Sequence, residues 1–356
     1  MTTASDLPRL PWLAQPLRQA LSTQRGHALL IHGPRGVGQF ELSLALAQGW
    51  LCESETVPLE SRPCDTCASC RLVRARSHPD LLVLVPEAMR ESVGWGGAAG
   101  EGEEGGEPAK GAKKPSKEIR VETIRAAIGF ATTTSARGRG KVLVVHPAER
   151  MNDVAANAFL KTLEEPAGAA RFVLSSAAPD ALLPTIRSRC QAVALPVPPP
   201  DEAAAWLGAQ GVADAALLLR ACGGQPQEVL AWAALGLDAN AWQQLPGKVA
   251  RGDAAALHGL PLPVVVEILQ KLCHDESVLA CGGRPRFFVA ESLIDGAELT
   301  GLLRWSRELS RVAAEAEHPW LVDLSVESLV EQGRQALKTA RSGQRPARSV
   351  SLNSPR

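Results

Sequence analysis

The sequence predicts an α/β domain, built on a mostly parallel sheet with helices on both faces and followed by helical regions. Two observations predict it. Four apolar runs lack the alternation of a half-exposed strand, the pattern of strands buried on both faces. Helical periodicity lies between them, and strand–helix alternation is how a parallel sheet is connected.

Taken in order, "ALLIHG" at 28 to 33 is a short buried strand running into a glycine turn. From Val37 to about Leu51, the residues Leu42, Leu44, Ala45, Leu46 and Trp50 mark a partly buried helix. "LLVLV" (81 to 85), "KVLVVHP" (141 to 147) and "RFVLSS" (171 to 176) are the other strands, with helical patterns at 121 to 133 and 152 to 165. Residues 87 to 118, rich in Gly, Glu and Lys, are expected to form a disordered loop, because they cannot bury enough apolar surface to offset ordering. "LPVPPPDE" (195 to 202) is a stiff linker that closes the first domain. Residues 201 to 235 then read as helices interrupted by "CGGQP" (222 to 226). A second break near 244 to 248 opens a third region, with helices around 263 to 280, 297 to 316 and 323 to 340. The acid-free end, 341 to 356, reads as a basic tail.

The 356 residues are long enough for two or three domains, and 45% hydrophobic content allows a sizeable core. Lys plus Arg and Asp plus Glu balance at 38 each, which argues against wholesale wrapping of nucleic acid. The start lacks a basic segment followed by a long apolar run, and no stretch approaches the roughly 20 apolar residues of a membrane span. A cytoplasmic protein is expected, with its eight cysteines as thiols or metal ligands.

"HGPRGVGQF" (32 to 40) keeps the glycines of a phosphate-binding loop, Gly33, Gly36 and Gly38, after a strand. In such a loop a lysine neutralises the phosphates and a hydroxyl holds Mg²⁺. Here those positions are Gln39, which is neutral, and Phe40, which has no oxygen. The third strand ends in His146 and Pro147, where an ATPase carries an acidic pair. With both sets of groups missing, hydrolysis is not expected of this chain.

Cys52, Cys64, Cys67 and Cys70 form C-x11-C-x2-C-x2-C. Four thiolates can close a tetrahedral, structural Zn²⁺ site, and His78 is a rival fourth ligand. Iron–sulfur spacing would need a further cysteine soon after Cys70, and none comes until Cys190. A group of buried or redox-active thiols is the plainer alternative. A zinc-containing nucleic-acid-binding protein would interleave aromatics with basic residues near the cysteines, whereas "RLVRARSH" (71 to 78) has none. In "LLPTIRSRC" (182 to 190), a short helix starting at Pro184 carries Arg189 to its far end, where an arginine is ordinarily solvated or salt-bridged.

The combination of "ANAFLKTLEEP" (156 to 166), "PTIRSRC" (184 to 190), "HPDLLVL" (78 to 84), the four-cysteine insert and the spoiled loop resembles the bacterial clamp-loader family of DNA polymerase III, across essentially the whole chain to about 340. The spoiled loop sets it with the non-hydrolysing members, apart from the ATP-hydrolysing gamma/tau subunits. The resemblance implies an AAA+ α/β domain over 1–197 with a zinc-binding insert at 52–70, a small helical lid over 198–245 and a helical collar over 246–340. It implies a hetero-pentameric ring with gamma/tau and delta subunits that loads a sliding clamp onto primed DNA. It also implies that Arg189 is an arginine finger acting in trans on a neighbour's ATP, and that this chain's own ATP binding is lost. By the same resemblance, Ser176 and Gln227 stand where the family's ATPases carry a polar sensor and a sensor arginine.

Overall fold

The computed structural model describes residues 10–24, 26–95, 115–315 and 321–338. These fall into two compact units, one running to Trp206 with Gln225–Glu228 added, the other comprising Leu207–Gly224 and the chain from Val229.

The first unit holds the five strands β1 (Ala28–His32), β2 (Leu81–Leu84), β3 (Val142–Val145), β4 (Arg171–Ser176) and β5 (Gln191–Ala194). They form one sheet in the order β2-β3-β4-β1-β5, with every pairing parallel. β1, β3 and β4 are buried almost throughout, as continuous apolar runs require, while β5 is an exposed edge strand. "QAVA" is too short and too small-chained to announce itself, so this fifth strand is an addition to the four read from the sequence.

Helices α1 (Ala14–Thr23), α2 (Gln39–Leu51), α3 (Ala68–Arg74), α4 (Val121–Thr132), α5 (Asp153–Glu164) and α6 (Pro184–Arg187) complete the α/β layer. Two apolar clusters form on the sheet, one around α2 with Leu29, Ile31 and Val144, the other around α4 and α5 with Leu30, Leu143 and Phe172. Odd and even residues of one strand thus feed opposite faces, as strand geometry dictates. α2 is buried on nearly every side, so its sequence is apolar rather than sharply amphipathic.

The loop reading of 87 to 118 needs correction at both ends. Glu87–Met89 is a 3-10 turn, the N–H of Ala88 donates to the Ser116 carbonyl, and Glu87 accepts from the Ser116 N–H. Trp95 is buried and meets Phe40 edge-on at 6.4 Å. One tryptophan brings enough apolar area to order its flank in an otherwise glycine-rich stretch. Residues 96–114 and the basic tail lie outside the described residues.

Helices α7 (Pro200–Ala209), α8 (Ala215–Ala221), α9 (Pro226–Ala234), α10 (Ala239–Arg251), α11 (Leu262–Ala280), α12 (Leu299–Glu315) and α13 (Val322–Ala336) follow. The break expected near 244 to 248 is absent, since α10 runs through it with Pro246 inside. Proline removes one helical N–H, but Trp242, Leu245 and Val249 bury a continuous face and Asp238 caps the start by accepting from the Ala241 N–H at 2.7 Å. In the second unit, Trp242 stacks on Phe288 at 4.1 Å, and α11, α12 and α13 pack together. The Trp305 indole donates to the Leu329 carbonyl at 3.1 Å.

Candidate functional site

The loop after β1 sits at the carboxyl end of a parallel sheet, where open α/β folds place their ligands. Gly36 has φ +73° and Gly38 φ +106°, values that a side chain would strain. Gly38 is the residue preceding α2. The cradle's backbone is therefore formed, and a cavity of about 900 Å³ opens beside it, lined by residues that include Arg35, Phe40, Glu41, Arg76, His146 and Gln227.

What fills the cradle is its own chain. The buried side chain of Gln39 donates to the carbonyls of Gly33 at 2.8 Å and Pro34 at 2.5 Å. Phe40 lies against the His146 ring with centroids 4.7 Å apart. Burial pushes the His146 imidazole down to about 4, so it is neutral near pH 7, and its Nδ1 lies 2.9 Å from the Ser175 hydroxyl. Glu149, two residues past Pro147, accepts from the Ala177 N–H at 3.1 Å. Ser176 is buried and accepts from the Ala178 N–H.

Sequence reading missed the acids that stand against this loop. Glu228 pairs with Arg35 at 2.8 Å, and its chain neighbour Gln227 donates from its backbone to the Gly36 carbonyl and from its side chain to Glu41 at 2.6 Å. Burial holds the Glu41 carboxyl above its ordinary range. Partners some 190 residues away leave no local signal. Among the described residues the cavity lining sets Arg35, Arg76 and Arg150 against Glu41, Glu91, Glu149 and Glu228, with Arg35 paired to Glu228 and no lysine to meet a phosphate.

The four cysteines meet. Their sulfurs all lie within 4.8 Å of one another, with Cys64 and Cys70 at 3.9 Å. Four sulfurs around a tetrahedral Zn²⁺ at about 2.3 Å would be about 3.8 Å apart, so the set needs little contraction to fit. Cys52 follows the end of α2, and Cys67 caps α3, its sulfur accepting from the Cys70 N–H at 3.4 Å. Burial resists ionisation of Cys64, but the N–H groups of Cys67 and Thr66 and the Thr66 hydroxyl outweigh it and bring the thiol down to about 6. Burial, with Cys67 nearby, holds Cys70 well up. Ionised together, four thiolates this close would need a cation among them. His78 stands outside the group, its Nε2 on the Ser69 hydroxyl and its Nδ1 accepting from the Asp80 N–H at 3.0 Å. Arg62, another residue the sequence did not flag, ties the stretch together by donating to the carbonyls of Cys52, Ser54 and Val57.

Arg189 follows the short helix α6, far in sequence from the loop. Its guanidinium pairs with Glu164 at the end of α5, Nε to Oε1 being 2.6 Å, and donates to the Thr185 carbonyl at 2.9 Å. Arginine and glutamate side chains are 31% and 46% exposed, so the pair is open to exchange of partner.

A family model described as "DNA polymerase III, delta subunit" matches residues 11–199. The chain is 38% identical over 198 residues to the DNA polymerase III subunit delta' of Pseudomonas aeruginosa, covering 54% of this chain and 52% of that one. It is 32% identical over 228 residues to the subunit delta' of Escherichia coli, covering 62% and 60%. The chain thus spans about half the length of the curated relatives it matches. Among solved structures, a DNA polymerase III gamma subunit-related protein from Thermotoga maritima superposes with a TM-score of 0.48 at 17% identity, over 91% of this chain and 99% of that one.

Proposed function

The chain belongs to the delta-prime family of DNA polymerase III subunits, and from that premise we propose that it is a non-hydrolysing partner in a clamp-loader ring, joined to gamma/tau and delta subunits in the cytoplasm. The observation that carries this reading is the Gln39 side chain bonded across its own loop. Hydrolysis needs a cation on the phosphates, a hydroxyl on the metal and a carboxylate for water. The loop offers an amide, a phenyl ring and a neutral imidazole instead.

In this reading the first domain, 1–197, is an AAA+ α/β domain, and the helices after it form a lid and a collar whose boundary lies outside the continuous helix α10. Cys52, Cys64, Cys67 and Cys70 hold a structural zinc that cross-links the insert at 52–70. Arg189 reaches across a subunit boundary to a neighbour's ATP, where a fixed guanidinium offsets the charge of the transferring phosphoryl group. Its forked donors suit an equatorial phosphate oxygen better than a point charge does.

The test is copurification with tagged gamma/tau and delta, followed by clamp loading on primed DNA with and without this chain. Stable assembly and loading that depends on the chain are expected. A chain that neither joins those subunits nor changes loading ends the proposal. No helix among the described residues is long and apolar enough to cross a membrane.

A further inference from the structure

The second unit carries an exposed loop whose backbone is held by a buried acid on one side and an exposed arginine on the other. Asp275 on α11 is fully buried. Its carboxylate accepts from the N–H groups of Arg286 at 2.9 Å, Phe287 at 2.6 Å and Phe288 at 2.8 Å, and lies 2.9 Å from His274 Nδ1. Arg220 of α8 donates to the carbonyls of Pro285, Arg286 and Phe288 at 2.7 to 2.9 Å. Burying an acid is costly unless its lone pairs are met, and here they are met by the loop itself. Residues 284 to 288, "RPRFF", are thereby fixed in one conformation.

The clamp presents a half-buried ring among cations. The Arg286 guanidinium lies 5.2 Å from the Phe287 centroid, Lys271 Nζ 5.6 Å, and the His274 ring meets Phe287 edge-on at 5.5 Å. Arg284 and Arg286 are exposed, and the His274 side chain is 51% exposed. Lys271 is paired with Glu267, which removes one of the local acids from play. The lone pairs of Asp275 are met beneath the surface, and the charged side chains that the 284–288 loop turns outward are Arg284 and Arg286.

From this we propose that the 284–288 loop, with His274, is a binding surface for single-stranded nucleic acid, independent of the phosphate loop and of Arg189. Charge alone would suit any polyanion. The aromatic platform selects among them, because an unpaired base can stack on Phe287 while its flanking phosphates reach Arg284 and Arg286, the general scheme of sequence-tolerant strand binding. A duplex keeps its bases stacked on one another and cannot use the ring.

The experiment uses the whole 356-residue chain and a fluorescein-labelled oligothymidylate of about 16 nucleotides, with binding read by anisotropy across a salt series. Phe287→Ala should weaken binding by about 5- to 100-fold. Phe287→Leu, which keeps apolar volume in place, should weaken it similarly. Replacing Arg284 and Arg286 together by Ala should lower the slope of log K against log salt by about 1.4, two single-strand phosphate contacts. Circular dichroism melts check that each variant is folded, and Arg286→Glu, a change at an exposed residue, serves if the Phe287 variants are not. The proposal is overturned if the folded variants bind as wild type does, as they would if the basic segment 341 to 356 held the strand. It is overturned equally if the wild type binds a duplex of the same length as tightly, or if polyglutamate binds at these residues and oligothymidylate does not.

Discussion

The side-chain amide of Gln39 donates to the carbonyl oxygen of Gly33 at 2.8 Å, so the first residue of α2 bonds back across the turn that precedes it. The same nitrogen reaches the Pro34 carbonyl. An ammonium in this place would point its charge at an incoming phosphate; the amide spends its donors on the loop. The glycine frame persists because it also packs. A side chain at Gly33 would strike the Leu195 carbonyl at 2.0 Å, and one at Gly38 would strike Leu10 at 2.6 Å.

The isolated chain is therefore predicted to hydrolyse ATP no faster than background. Gln39→Lys alone should not restore turnover, because Phe40 brings no metal ligand and His146 no carboxylate. Phosphate release by rigorously purified wild type, abolished by Gly36→Ala, would refute this.

Zinc at about one equivalent per chain is predicted in protein purified without added metal, from the tetrahedral fit of four sulfurs. Cys67→Ser removes both a ligand and the sulfur that caps α3, so bound zinc should fall and the melting temperature with it. Iron in place of zinc, or full zinc retention in the variant, contradicts the assignment.

The His146 imidazole supplies a pH dependence with a definite sign. Its folded value, about 4, lies below the ordinary 6.5, so the fold favours the neutral ring. Its contribution is complete above about pH 6.5 and is lost as pH falls from there towards 4, because the unfolded chain takes the proton first, at up to about 1.4 kcal/mol per pH unit and about 3 kcal/mol in all. Urea unfolding of wild type and His146→Gln should give stabilities whose difference shifts in the variant's favour across that window. A difference constant with pH means that the ring titrates normally.

Much of the first unit was legible in the sequence because buried parallel strands have to be apolar on both faces, and four of five were. β5 escaped because an edge strand of "QAVA" buries too little to carry a pattern. Trp95 escaped because a single anchor in a glycine-rich stretch has no periodicity. Cysteine spacing pointed to a cluster since the ligands are close in sequence; Glu228 against Arg35 and Asp275 beneath the 284–288 loop are pairings made by the fold, with no local trace. The helix through Pro246 shows a strong breaker yielding to a buried face.

The last prediction concerns Arg189. Its partner in the folded chain is Glu164, a half-exposed carboxylate, and such surface pairs contribute about 0–1 kcal/mol. Losing the pair should cost little, so Arg189→Ala and Glu164→Gln are both expected to fold, to melt within a few degrees of wild type and to join the other subunits. Their effects on loading should then part. If the guanidinium acts in trans, it must leave Glu164 to reach a neighbour's phosphate, and the weakness of the pair makes that exchange cheap. Glu164→Gln should leave steady-state ATPase with clamp and primed DNA within about twofold of wild type, the scale set by so weak a pair. Arg189→Ala should slow hydrolysis at the facing site by on the order of 10³, while sites that do not face Arg189 continue, so the reconstituted loader shows a partial loss. Arg189→Lys keeps the charge without the fork and should recover only part of the rate. If Arg189→Ala and Glu164→Gln behave alike, the arginine does no more than hold α6 to α5, and the finger is elsewhere.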